Sequence, residues 1–226
     1  MRKKTSKQSP FIRKEEDFSL NTWSLNKNVV YLQPKKEKKM VFESFIKDNY
    51  TSYEAYLASH KIVASPFIVA ERRSNHLSSI YSESPLTSTH LFGEVHLSCE
   101  VNSSNVGDFS LRILSTIIPS RVLFRFDSDG PDHKNKVDYI PLPEQSVPTP
   151  HYHRFDIQGN LLAYQTDDMK DQAQASNWKD IEKVFDFFCQ TGNIHANIPD
   201  DKPRIVVNTG SLPFDYGDDP TNGLNF

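Results

Sequence analysis

Residues 149–166, "TPHYHRFDIQGNLLAYQT", hold the pattern on which the reading of this chain turns. Two alternating runs flank Gln158-Gly159-Asn160, which has the turn chemistry of a β-hairpin, so the stretch is expected to form two antiparallel strands. The first strand carries His151 and His153 as His-x-His, and alternation along a strand puts both imidazoles on one face. Two imidazoles at i and i+2 suit three roles, in descending order of frequency: hydrogen-bonded structural groups, acid–base or phosphate-binding groups, or ligands of one metal ion. A complete metal site needs further ligands. The nearest candidates, Asp129, Asp132 and His133, stand in the preceding loop at no diagnostic spacing.

A short internal echo extends this reading upstream. "FRFDSDG" at 124–130 and "HRFDIQG" at 153–159 share Arg-Phe-Asp-x-x-Gly. Aligned copy to copy, His151, His153 and Phe155 match Val122, Phe124 and Phe126, so the histidines are expected on a core-like face. Arg125 and Asp127 then match Arg154 and Asp156 on the opposite face, spaced to form ion pairs within or across strands. "DSDGPDHKN" lacks the Asp-x-Asp-x-Asp-Gly order and distal Glu of a calcium loop and reads as a turn.

Outward from there, "THLFGEVHLSCEV", "DFSLRIL" and "SRVLFRFD" alternate like consecutive antiparallel strands. Residues 128–150 carry five of the 14 prolines and are expected to be loop. "SNWKDIEKVFDFFCQTGNI" predicts an amphipathic helix over 177–191, with Asn177 and Asp180 at its start, Trp178, Ile181, Phe185 and Phe188 on one face, and a left-handed Gly192 at its end. Short helices are expected near 40–47 and in "SYEAYLASH", the latter capped by Thr51 or Ser52. Serine-rich 74–88 reads as a loop, and "PRIVVNTG" as a last strand. The fold class is therefore α+β: a mainly antiparallel sheet packed by one C-terminal amphipathic helix, with short N-terminal helices and one core domain. The domain spans 40–210, with its β-rich core at about 90–208, between a basic arm at 1–39 and a tail at 211–226 in which Phe214 and Phe226 are candidate docking anchors.

Composition narrows the function class. Charge is uneven: residues 1–40 hold 11 Lys/Arg against 4 Asp/Glu, and the remainder 15 against 25. An acidic body is a poor nucleic-acid platform, whereas the basic arm is suited to phosphate backbones or to keeping the chain solvated. The two cysteines form no Cys-x-x-Cys, no cationic-then-apolar leader is seen, and no apolar run reaches the ~20 residues of a membrane span. A cytoplasmic protein without membrane contact is the expectation.

In order, "RFDSDGPDHKN", a proline-rich gap, "PHYHRFDIQGNLLAYQ" and a helix ending "FFCQTGNI" resemble a family of bacterial and prophage-encoded proteins with the pattern Arg-x-Asp … His-x-Asn … Pro-His-x-His-Arg/Lys. The resemblance covers residues 121–194, marks His133, Asn135, His151 and His153 as signature positions, and implies no activity. The functional expectation is a histidine-dependent, phosphodiester-acting, RNase-like protein of a prophage or defence locus. His151, His153 and His133 would be its acid–base groups, or His151 and His153 the ligands of a divalent metal, with Arg154 or Arg125 on phosphate and Asn135 and Asp156 as further binding residues. The alternative is a non-catalytic module that binds protein or nucleic acid through the proline-rich loop and basic arm, its histidines structural. Convergence of the three imidazoles within ~5 Å of one point favours the first.

Overall fold

The computed structural model describes residues 43–72, 78–90, 92–198 and 201–209. The expected basic arm and the C-terminal tail lie outside these. Two short helices, α1 (Ser44–Asp48) and α2 (Tyr50–Ala58), lead into β1 (Lys61–Val63), β2 (Phe67–Val69), β3 (Glu71–Arg72), β4 (Ser79–Pro85) and β5 (Thr87–Ser88). The long strands follow: β6 (Val95–Asn102), β7 (Asn105–Ser115) and β8 (Val122–Asp127). After β9 (His133–Lys134) and β10 (Ser146–Val147) come the hairpin strands β11 (His151–Phe155) and β12 (Leu161–Tyr164), then α3 (Asp167–Lys170), α4 (Ile181–Thr191), β13 (Ile194–Ala196) and β14 (Ile205–Val207).

Seven strands form one antiparallel sheet in the order β12-β11-β8-β7-β6-β4-β3, and the α+β class is as expected. Small satellites add parallel pairs, β1 with β13 and β2 with β14, the last being the "PRIVVNTG" strand. The serine-rich stretch is not a loop throughout, because β4 sits inside the sheet beside β6. Its serines occupy ladder positions that cross-strand pairing fills despite low strand propensity.

The two sheet faces differ in chemistry. On one, Leu97, Cys99, Val101, Phe109, Leu111, Ile113, Phe124 and Phe126 are all buried. α4 and the turn before it cover this face: Phe188 of α4 stacks on Phe124 with ring centroids 5.0 Å apart, and Trp178, just ahead of the helix, meets Phe126 at 6.2 Å. Each buried Phe contributes about 1.5–3 kcal/mol. Asp180 caps α4 by accepting from Glu182 and Lys183 amides, so the helix begins at Ile181, and 177–179 form a 3-10 turn instead of its first turn. Gly192 has φ −84°, and the left-handed residue is Asn193 at φ 51°. α2 likewise starts one residue before Thr51, with Asn49 at its N-cap and no side-chain cap bond.

The other face is polar and half-open, as antiparallel sheets allow. Across it Arg112 pairs with Glu100 (3.0 Å) and Arg125 with Asp127 (2.7 Å). The register here overturns the expected placement of the histidines. β8 and β11 are antiparallel neighbours with His151 opposite Asp127 and His153 opposite Arg125, while Tyr152 and Arg154 lie opposite Phe126 and Phe124. This register sets His153 against Arg125 and not against Phe124, its match in the echo, so His151 and His153 share the face of Arg125 and Asp127, away from α4.

The hairpin turns at Gly159 as expected. Gly159 has φ +81°, and a Cβ there would stand 2.5 Å from the Glu43 carbonyl oxygen. Gly159→Ala is expected to destabilise the fold by at least about 1–3 kcal/mol, the cost of a strained left-handed residue plus the clash, read as a lowered denaturant midpoint. An unchanged midpoint would contradict this packing.

Candidate functional site

Asp127 closes β8 and His151 opens β11, so the ladder that pairs these strands sets a carboxylate against an imidazole. His153 follows two residues on. Nε2 of His153 is 3.1 Å and Nε2 of His151 3.6 Å from Oδ2 of Asp127. All three side chains are buried. The ligand atoms of this trio lie within 4.8 Å of one another.

His133 arrives from the proline-rich segment, and Asn135 explains how. The Asn135 amide donates to the Ala163 carbonyl (2.9 Å) and accepts from the Ala163 N–H (2.8 Å), so it occupies the outer edge of β12 like one residue of a further strand. That anchor, with the β9–β10 pairing of His133 to Val147, lays the segment over the histidine face. The His133 ring stands perpendicular to His153 with centroids 4.7 Å apart, and 6.2 Å from His151; His151 and His153 are 4.7 Å apart. The three imidazoles converge.

Hydrogen bonding fixes the rings. Nδ1 of His151 lies 3.0 Å from the Pro148 carbonyl, which can only accept, so Nδ1 carries a proton. Two buried ring nitrogens, Nδ1 of His153 and Nε2 of His133, have no hydrogen-bond partner among the described residues. Burial first, then the neighbouring His153, His151 and Arg125, push His133 down to about 4. Burial also lowers His153, against the pull of Asp127. For Asp127 burial alone would raise the carboxyl, but hydrogen bonds to both histidines and the Arg125 guanidinium outweigh it and hold the group well below the ordinary carboxylate range. At neutral pH the cluster is an ionised carboxylate beside neutral imidazoles at 133 and 153.

Arg125 links the cluster to an adjoining cavity. Its guanidinium forks onto Asp127, Nε to Oδ1 and a terminal nitrogen to Oδ2, both at 2.7 Å, while 37% of the side chain stays exposed. The cavity, about 310 Å³, is lined by polar groups including Arg112, Arg125, Glu100, Ser110 and Asp129. Four carboxylates line it: Glu100 pairs with Arg112, Asp127 with Arg125 and Asp129 with Lys179 at 2.7 Å, while Asp108 accepts from the Asn102 side-chain amide at 3.0 Å.

The other candidates fall elsewhere. Arg154 projects from the opposite face and pairs with Glu54 of α2, outside the cluster. Asp156 organises the hairpin turn, Oδ1 accepting from the Gln158 (2.9 Å) and Asn160 (2.8 Å) amides and Oδ2 from the Tyr139 hydroxyl. Asp132 accepts from the Ser146 hydroxyl, and neither it nor Asp129 belongs to the trio. Asp127 and Arg112 were missing from the expected site. The signal for Asp127 was the echo itself, read as an antiparallel pair across the 128–150 connection. Among the described residues no helix is long and apolar enough to cross a membrane. In comparisons with protein-family models, curated proteins and solved structures, nothing matches this chain.

Proposed function

We propose that the chain acts on a phosphodiester, in the manner of an RNase, at the junction of the histidine cluster and the polar cavity. The observation that carries this reading is Arg125: a guanidinium oriented by a buried carboxylate, presented to the cavity and backed by three imidazoles. In this reading Arg125 and Arg112 hold phosphate oxygens, for which a planar guanidinium is suited. Asp127 fixes the Arg125 fork in place. His133, the half-buried ring of the three, is neutral and accepts a proton from the attacking oxygen.

End-labelled single-stranded and hairpin RNA, with DNA of the same sequence, test the reading. Cleavage of RNA by the purified chain is expected, falling ~10²-fold or more in Arg125→Met and in His133→Ala, the usual contribution of a positioned acid–base or charge-stabilising group. Wild-type protein that leaves both polymers intact with and without divalent metal, or variants that match its rate, would overturn it. One observation favours a second reading, a binding module without catalysis: His151 and His153 are only 2% and 3% exposed. Retention of intact RNA would identify that case.

A further inference from the structure

The His151 ring is oriented toward the cluster. Its Nδ1 donates to the Pro148 carbonyl, which leaves Nε2, 3.6 Å from Asp127 Oδ2, as the ring nitrogen turned inward. His153 turns its own Nε2 to the same carboxylate oxygen at 3.1 Å, so three potential ligand atoms face one another inside a buried cluster. Donors bound to one tetrahedral ion at ~2.0–2.2 Å stand about 3.4 Å from one another. The separations from Asp127 Oδ2 to the two Nε2 atoms, 3.1 and 3.6 Å, bracket that value.

We infer that Asp127 Oδ2, His151 Nε2 and His153 Nε2 form a binding site for one divalent transition-metal ion of the zinc class. The donor set selects this class: two imidazoles and one carboxylate suit zinc and its first-row neighbours, whereas magnesium and calcium take oxygen ligands. The outer contacts are those of a metal centre. The Pro148 carbonyl locks the His151 tautomer with Nε2 free to ligate, and Arg125 braces the ligating carboxylate.

Three protein ligands leave a fourth position, the arrangement of catalytic rather than structural zinc sites. His133 lies outside the ligand set, beside His153, with its Nε2 unpartnered. Charge points to the occupant of the fourth position. The Arg125 cation balances the Asp127 anion, so three ligands and their brace sum to zero and the ion keeps its two positive charges. An anionic oxygen is drawn there. This last step rests on the phosphodiester reading and gives the ion its task, polarising a phosphate oxygen next to the Arg125 fork.

Metal-free full-length protein titrated with Co²⁺, then with Zn²⁺ in competition, tests the site directly. Uptake of about one equivalent of Co²⁺ with the intense visible absorption of a four-coordinate ion, displaced by Zn²⁺, is expected. His151→Ala/His153→Ala should abolish the band. Asp127→Asn, which keeps the side-chain shape should the double variant fail to fold, should weaken binding at least ~10-fold, the lower end of the loss for a disturbed metal environment. Absence of the band in the folded wild type, or its persistence at full strength in the folded ligand variants, overturns the site. RNA cleavage that survives chelation while no metal binds defeats the metal inference alone; metal binding without cleavage defeats the phosphodiester reading alone.

Discussion

Asp127→Ala is expected to lower the unfolding midpoint of the metal-free protein by roughly 10 °C. The carboxylate is the only anion touching Arg125, His151 and His153 among the described contacts, and it is itself nearly enclosed. Its loss leaves two buried imidazoles without their acceptor at about 1–3 kcal/mol each, while the Arg125 guanidinium, 37% exposed, recovers water and adds less. For a chain of this length each kcal/mol moves the midpoint ~2–4 °C. Asp127→Asn keeps the volume and one acceptor, so its loss should be smaller. Scanning calorimetry of wild type and both variants checks the order, and a shift below about 3 °C in Asp127→Ala would show that the cluster adds nothing to the fold.

The same cluster sets the acid response. Asp127 has its folded pKa depressed, so its contribution is present above the unfolded value of ~3.9 and is lost as pH falls through the folded one. His133 and His153 are also depressed, which for an imidazole means that the unfolded chain binds protons the folded chain refuses. Stability of the metal-free protein should therefore fall as pH drops from ~6.5 toward 4. His133→Phe/His153→Phe should flatten that limb, in denaturant midpoints measured between those limits. A limb as steep as in wild type would mean that other groups carry it.

How much of this could be read in the sequence differs between elements, for physical reasons. The hairpin at 151–164 was legible because its turn residues and alternation are local, and so was the aromatic stripe of α4. β4 was not, since its serines carry weak strand propensity and pairing on both sides decides the outcome. Of the site, His133, His151, His153 and Arg125 were identifiable, and their convergence is what the structure adds. Their face was not legible because strand register is a tertiary fact, and a shift of one residue exchanges the two faces. Copy-to-copy alignment matches His153 to Phe124, whereas the ladder pairs His153 with Arg125. Asn135 was identifiable as a signature position but not as the clamp on Ala163, a contact 28 residues distant in sequence.

Lys61→Met should be as costly as Asp127→Ala although it lies in β1, outside the cluster. The Lys61 side chain is completely buried, and its Nζ donates to three carbonyls, those of Leu57, Ser59 and Gly192, each at 2.8 Å. Leu57 and Ser59 are at the C-terminal end of α2, and Gly192 is the C-cap of α4. A helix C-terminus presents unpaired carbonyls and a partial negative charge, so one ammonium here joins two helix ends that the chain separates by more than a hundred residues. Methionine matches the length of the stem but donates nothing, leaving three carbonyls unpaired at ~1–3 kcal/mol each. Relief of the buried charge offsets part of this, for a net loss of about 3–5 kcal/mol, the range for breaking a buried ionic contact. Arginine is not expected to rescue, because a larger planar fork has no room at a fully enclosed position. The distinguishing readout is amide exchange: the last turns of α2 and α4 should lose protection together in Lys61→Met, since one group holds both. Loss confined to α2, or a midpoint within about 1 kcal/mol of wild type, would show that Gly192 is held by packing and that the lysine is only a local cap.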